Sequence, residues 1–165
     1  MDIIRIGILS DTHLTGPSRA FQSQVDRCFG ETDLILHAGD LIDLQVLQAF
    51  GTKRLHAVHG NMCTPRTCRT LPTQKTIQVG KFTIGLIHRA GNSYDFEDRL
   101  LEIFPTADCI VYGHTHQPVC HRIGGTLLIN PGSFRSTGRF GAPGTYCHLE
   151  VGETLSARVQ EVQPS

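Results

Sequence analysis

Nine histidines and a scatter of carboxylates are unremarkable in 165 residues, but many of them cluster where short apolar runs stop. Ile6-Gly7-Ile8-Leu9 runs into Ser10-Asp11-Thr12-His13, and Leu34-Ile35-Leu36 into His37-Ala38-Gly39-Asp40. Leu55 to Val58 runs into His59-Gly60-Asn61, Phe82 to Ile87 stops at His88, and Cys109 to Tyr112 leads to Gly113-His114-Thr115-His116. Two carboxylates, one amide oxygen and four imidazoles are thereby offered: Asp11, His13, Asp40, Asn61, His88, His114 and His116. Mixed oxygen and nitrogen donors suit Mn²⁺, Fe²⁺, Ni²⁺ or Zn²⁺ and disfavour a cysteine-rich structural zinc. Seven donors exceed what one catalytic ion with an open position needs, and suit two ions sharing one carboxylate. Asp11 and His13, like His114 and His116, are two residues apart, and in an extended segment such positions face one side. Asp40 and Asn61 each follow a glycine, which permits a tight turn at a strand end.

Each tripeptide alone is weak, because Gly-Asp and Gly-Asn usually mark turns and a strand-end histidine is commonly structural. Together they require strands that deliver donors to a common edge, the place where open α/β sheets bind ligands. Residues 3–9, 33–37 and 54–58 read as buried strands. Helices are expected over Ser18 to Phe29, over Asp43 to Phe50, and over Ser93 to Phe104 with Ser93 as N-cap. Residues 62–74 read as a loop. Lys75 to Val79 and Phe82 to Ile87 flank a Gly80-Lys81 hairpin turn, and Gly124-Gly125 marks a second hairpin between 119–123 and 126–129. Strands over 145–151 and 155–162 complete a chain that starts α/β and ends β-rich. That order favours an α/β (α+β) layered sandwich, two stacked sheets with helices outside, as a single domain over 1–165.

Lys plus Arg (15) equals Asp plus Glu (15), so bulk charge gives no case for nucleic acid or an anionic membrane as partner. The N-terminal stretch lacks the pattern of a signal peptide, no apolar run reaches membrane-spanning length, and the six cysteines show no disulfide spacing. A reducing, cytoplasmic location is the expectation.

The ordered motifs Asp11-x-His13, Gly39-Asp40, Gly60-Asn61, His88 and Gly113-His114-x-His116 resemble those of the calcineurin-like metallophosphoesterases. The small size and Asn130-Pro131-Gly132-Ser133 resemble the compact YfcE-like phosphodiesterase branch, which includes the retromer subunit Vps29. The resemblance implies a four-layer αββα sandwich and a dinuclear site of two divalent ions, Mn²⁺ foremost. It implies one ion on Asp11, His13, Asp40 and His116, and the other on Asp40, Asn61, His88 and His114, with Asp40 bridging. It further implies hydrolysis of small phosphate diesters by a hydroxide bridging the ions, with Asp40, Asn61 and His114 at the centre of the chemistry. His37 and His59 are candidates for orienting the ligands, and Asn61, Arg89, Arg135 and Arg139 for touching the substrate phosphate. The expected partner is a small-molecule phosphate ester; self-association into a homo-oligomer is left open.

Two departures stand out. Larger members carry a histidine after the Gly-Asn motif, suited to protonating the leaving group, where this chain has Met62-Cys63. Arg89 follows His88 where glycine is common. The alternative reading is a Vps29-like binding scaffold that keeps the fold without the chemistry, although such a scaffold would not need all seven donors.

Overall fold

The computed structural model describes residues 2–91, 94–136 and 142–164. Ten strands form two five-stranded sheets, β10-β9-β1-β2-β3 and β4-β5-β6-β8-β7. In chain order the first sheet takes β1 (Ile4–Leu9), β2 (Leu34–His37) and β3 (Arg54–Ala57). The second takes β4 (Gln74–Val79), β5 (Phe82–Ile87), β6 (Cys109–Val111), β7 (Val119–Ile123) and β8 (Thr126–Asn130). β9 (Thr145–Val151) and β10 (Leu155–Glu161) return to the first sheet. β1, β2 and β3 are parallel, as are β5, β6 and β8; the remaining pairs are antiparallel. The parallel strands thus take one side of the first sheet and the centre of the second, and their carboxyl ends can carry donors.

Alternation along the strands builds the layers. Ile6, Ile8, Leu34 and Leu36 face Ile84, Leu86, Val111 and Ile129 in the core between the sheets. The intervening positions look outward: Ile35 joins Phe21, Val25 and Phe29 of α1 (Arg19–Phe29), and Ile110 joins Leu100 of α3 (Phe96–Ile103). Helix, sheet, sheet, helix is the four-layer order anticipated from the motifs. Glycines let the helical aromatics sit on the sheets. A Cβ on Gly7 would lie 3.0 Å from the Phe29 ring at its Cε1, and one on Gly85 would lie 2.7 Å from Phe104 Cδ1.

Local signals explain most helix starts. The Ser18 hydroxyl accepts from Phe21 N at 3.1 Å, and Asp43 Oδ1 accepts from Gln45 N at 3.0 Å. The segment after Asp43, Leu44–Phe50, is a 3-10 helix rather than an α-helix. The expectation of a continuous loop over 62–74 is corrected by α2 (Pro65–Thr70). Thr64 caps it, accepting from Thr67 N at 3.2 Å, and Pro65 takes the first turn, where its missing N–H costs nothing. α3 is shorter than the pattern over 93–104; Ser93 lies outside the described residues, and Asp95 stands at the N-cap while pairing with Arg99 at 3.3 Å. Among the described residues, no helix is long and apolar enough to cross a membrane.

Candidate metal centre

The donors lie at the carboxyl ends of five strands, three in one sheet and two in the other, so the common edge is shared between sheets. The parallel hydrogen bonding runs on past the strands. Asp11 N donates to Gly39 O and His13 N to Asp40 O, both at 2.9 Å, and Gly113 N donates to His88 O at 3.0 Å. Several contacts tie the sheets together here. His88 Nδ1 meets Ala38 O at 2.7 Å, and His114 N donates to Asp11 Oδ2 at 3.1 Å.

The backbone achieves convergence differently from the extended i, i+2 geometry expected from the sequence. Asp11, His13, Asp40, Ile42, His114 and His116 all have positive φ, between 48° and 71°. They form three pairs spaced by two, each on a loop after a strand. Non-glycine residues in this region cost about 1–2 kcal/mol apiece, and such strain concentrates at functional sites. Five of these six are donor candidates, so the strain lies where donors must be aimed.

The side chains gather as two groups, Asp11 with His13 and His116, and Asp40 with His88 and His114; within each, the donor atoms lie within 4.8 Å of one another. Asp40 Oδ2 joins the groups, 3.3 Å from His88 Nε2 and 3.5 Å from His13 Nε2. Asn61 Oδ1 lies 3.0 Å from His88 Nε2 and 3.1 Å from His114 Nδ1. Each carboxylate is held by one oxygen. Asp11 Oδ2 accepts from the Ser10 hydroxyl at 2.7 Å, and Asp40 Oδ1 from Met62 N at 2.7 Å. Asp11 Oδ1 is buried with no hydrogen-bond partner among the described residues, while His116 Nε2 lies 3.2 Å away. An anionic oxygen that is dry and undonated is costly unless a cation meets it. The residues therefore fit a divalent ion.

Electrostatics agree. Burial works to raise the Asp40 pKa, but hydrogen bonds from His13 and His88 and from Met62 N hold it well below the usual carboxylate range. Burial works to lower His88, and Asp40 outweighs it, leaving His88 raised. His114 is lowered by burial and by His88 and Arg89. Nδ1 of His88 is engaged by a carbonyl, which directs Nε2 towards the other donors.

Glycines make the approach possible. A Cβ on Gly60 would strike the Asp40 carboxylate and sit 2.7 Å from Asp40 N, and one on Gly113 would strike the Ser10 hydroxyl and lie 2.9 Å from Asp11 Oδ2. A Cβ on Gly39, at φ 100°, would lie 2.7 Å from His88 Nδ1.

The remaining candidates divide. His37 is fully buried; its Nδ1 accepts from Gly39 N at 3.1 Å and its Nε2 meets the Thr12 hydroxyl at 3.2 Å. It braces the two donor loops rather than an imidazole, and burial lowers its pKa to about 3, so it is neutral. His59 Nε2 meets Thr73 at 3.1 Å. The Arg135 guanidinium donates to His13 O at 3.2 Å, and Arg89 is exposed beside His114. Arg139 lies outside the described residues. Met62 is 55% exposed. Cys63 Sγ accepts from Gly60 N at 3.2 Å, and no cysteine is in a disulfide.

Several supporting residues carry no sequence signal of their own. Ser10 holds Asp11. The Ser133 hydroxyl donates to Asp11 O at 3.0 Å, and Asn130 Nδ2 donates to Gly113 O at 3.0 Å and to the Thr115 hydroxyl at 2.9 Å. Only the Asn-Pro-Gly-Ser turn hinted at the last two.

Two cavities are prominent. One of about 760 Å³, between α1 and the outer face of β9 and β10, is remote from the donors, and its Arg5, Arg27 and Arg158 are balanced by Asp26, Glu31 and Glu150. The other, about 320 Å³, opens beside His114.

The chain is similar to known proteins along most of its length. The pattern of the calcineurin-like phosphoesterase superfamily domain covers residues 4–154. A probable metallophosphoesterase of Methanothermobacter thermautotrophicus is 35% identical over 133 residues, spanning 78% of this chain and 76% of its own. A phosphodiesterase of Methanocaldococcus jannaschii is 28% identical over 142 residues, spanning 78% and 83%. Among solved structures, a predicted phosphoesterase of Streptococcus pneumoniae aligns with TM-score 0.74 at 22% identity, over 98% of this chain and 91% of its own. Vps29 of Cryptosporidium parvum aligns with TM-score 0.74 at 16% identity, over 96% and 97%, and so shares the fold. The chain belongs to the calcineurin-like phosphoesterase superfamily.

Proposed function

We propose that this chain is a metal-dependent phosphodiesterase that hydrolyses small phosphate diesters at a dinuclear site. The observation that carries the reading is the pair of donor groups joined through Asp40 Oδ2, with Asp11 Oδ1 buried and undonated. Asp11, His13, Asp40 and His116 would hold one ion, and Asp40, Asn61, His88 and His114 the other, with Mn²⁺ the first candidate. When bound, two such ions would supply Lewis acidity towards the phosphoryl oxygens and would make water at the site acidic enough to attack at neutral pH.

The chain's own contribution is preorganisation. Ser10 and Met62 N each occupy one oxygen of a carboxylate, which leaves the other aimed at the centre. The Ala38 carbonyl fixes the His88 ring, and His37, kept neutral by burial, links the two loops that carry Asp11, His13 and Asp40. Asn61 places its amide oxygen between His88 and His114. A leaving group finds no histidine after Asn61, because Met62 stands there. Without an acid at that position, rates should rise steeply with the acidity of the departing alcohol.

The test is direct. Chelator-stripped protein should be inactive towards bis(4-nitrophenyl) phosphate, and Mn²⁺ or Ni²⁺ should restore cleavage. Across substituted aryl diesters the rate should climb as the phenol pKa falls. If metal-loaded protein cleaves neither diesters nor monoesters over a broad panel, the Vps29-like scaffold reading replaces this one.

A further inference from the structure

The cavity beside His114 is built differently from the donor cluster it adjoins. Its walls include Arg89, Phe96, Tyr112, His114 and Thr115, and its volume is about 320 Å³. The Phe96 and Tyr112 rings pack edge to face, with centroids 5.5 Å apart at 63°. Both lie in the apolar cluster beneath α3. Thr115 Oγ1 accepts from Asn130 Nδ2 at 2.9 Å and from Gln117 N at 3.2 Å. The Tyr112 hydroxyl is buried, with no hydrogen-bond partner among the described residues.

The cavity is continuous with the donors. His114 belongs to both, and Arg89 follows His88 directly, so the end of β5 supplies a donor and then a cavity wall. A phosphoryl group on the donor cluster would therefore direct one of its ester groups along this path. The volume lies at the small end of ligand sites, enough for one ring and not for a large conjugate. Aromatic side chains favour a ring at their faces or edges, and a guanidinium plane such as that of Arg89 stacks on one.

We infer that this cavity receives a single aromatic ester group of the substrate, so that the phosphodiesters preferred by this chain carry an aryl-sized flat ring on one arm. The inference rests on the phosphoesterase reading above and adds the substrate class to it.

The test compares non-hydrolysable phosphonates by calorimetry on the Mn²⁺-loaded protein. Phenylphosphonate should bind about ten- to a hundredfold more tightly than methylphosphonate, the range expected for burying one ring. Cyclohexylphosphonate, equally apolar but not flat, should fall between them. Phe96→Ala should bring the phenyl-to-methyl ratio close to one while methylphosphonate affinity stays within about twofold of wild type. Should Phe96→Ala fail to fold, Phe96→Leu keeps bulk against Tyr112 without a ring and should lose most of the preference. A ratio near one in the wild type, an unchanged ratio in the folded variants, or cyclohexyl binding as tight as phenyl would each overturn the inference. Failure of every phosphonate, methyl included, to bind the loaded protein would remove the phosphoesterase reading itself.

Discussion

Ser10 is a small residue whose removal should separate the two donor groups. Its hydroxyl lies 2.7 Å from Asp11 Oδ2 in a fully buried setting, and the only other donor to that oxygen among the described residues is His114 N at 3.1 Å. Ser10→Ala leaves a buried carboxylate with one hydrogen bond in place of two. A hydrogen bond to a charged group contributes about 1.5–3 kcal/mol, so metal-free protein should lose roughly that much stability. The residues that orient a ligand typically change metal affinity by about 10–100-fold. Because Asp11 stands in one group only, the loss should fall on one of two binding steps. Calorimetric titration with Mn²⁺ reads the steps, and urea unfolding in chelator reads the stability. Unchanged affinity at both steps, or equal weakening of both, would refute the assignment of Asp11 to a single ion and of Ser10 to its support.

Asn130→Ala should cost about 3 kcal/mol in urea unfolding, because Gly113 O, Gly132 N and the Thr115 hydroxyl all lose a buried partner. Gly60→Ala should abolish tight binding at the Asp40 group, since its Cβ would strike the Asp40 carboxylate and sit 2.8 Å from His88 Cδ2; metal titration of the folded variant checks this. His37 is neutral when folded, with a pKa near 3 against 6.5 unfolded, so below about pH 6.5 only the unfolded chain gains its proton. Stability of metal-free protein should fall with decreasing pH from that point down towards pH 3, by about 1.4 kcal/mol per unit from this group, and the unfolding free energy of His37→Gln, extrapolated from urea titrations, should show a slope shallower by that amount.

Strand positions were legible because short continuous apolar runs that stop at Gly, Asp and His clusters leave few alternatives. The layered order followed from the switch between α/β and β-rich halves. What escaped notice has local physical causes. Over 62–74, two prolines and scattered polar residues read as breaks, yet Thr64-Pro65 is a helix start whose capping bond outweighs the lack of an apolar stripe. The run after Asp43 keeps a helical composition but has only seven residues before Gly51, and settles as a 3-10 helix. The donor types were readable as a set; the left-handed backbone that aims them was not, since Asp and His at φ near 50–70° carry no signature beyond their spacing. Ser10 and Tyr112 looked like ordinary strand ends, and only the fold shows one holding a carboxylate and the other walling a cavity.

In the proposed site, two divalent ions share Asp40. The measurement that tests it most directly is the number of Mn²⁺ ions bound per chain, read by calorimetry with elemental analysis, for the wild type and for Asp40→Asn. Two ions are expected for the wild type and at most one tightly held ion for the variant, with diester hydrolysis lost alongside, because an amide bridges two cations poorly. A wild type that binds a single ion, or an Asp40→Asn protein that binds two as tightly and keeps near-normal turnover, would contradict it.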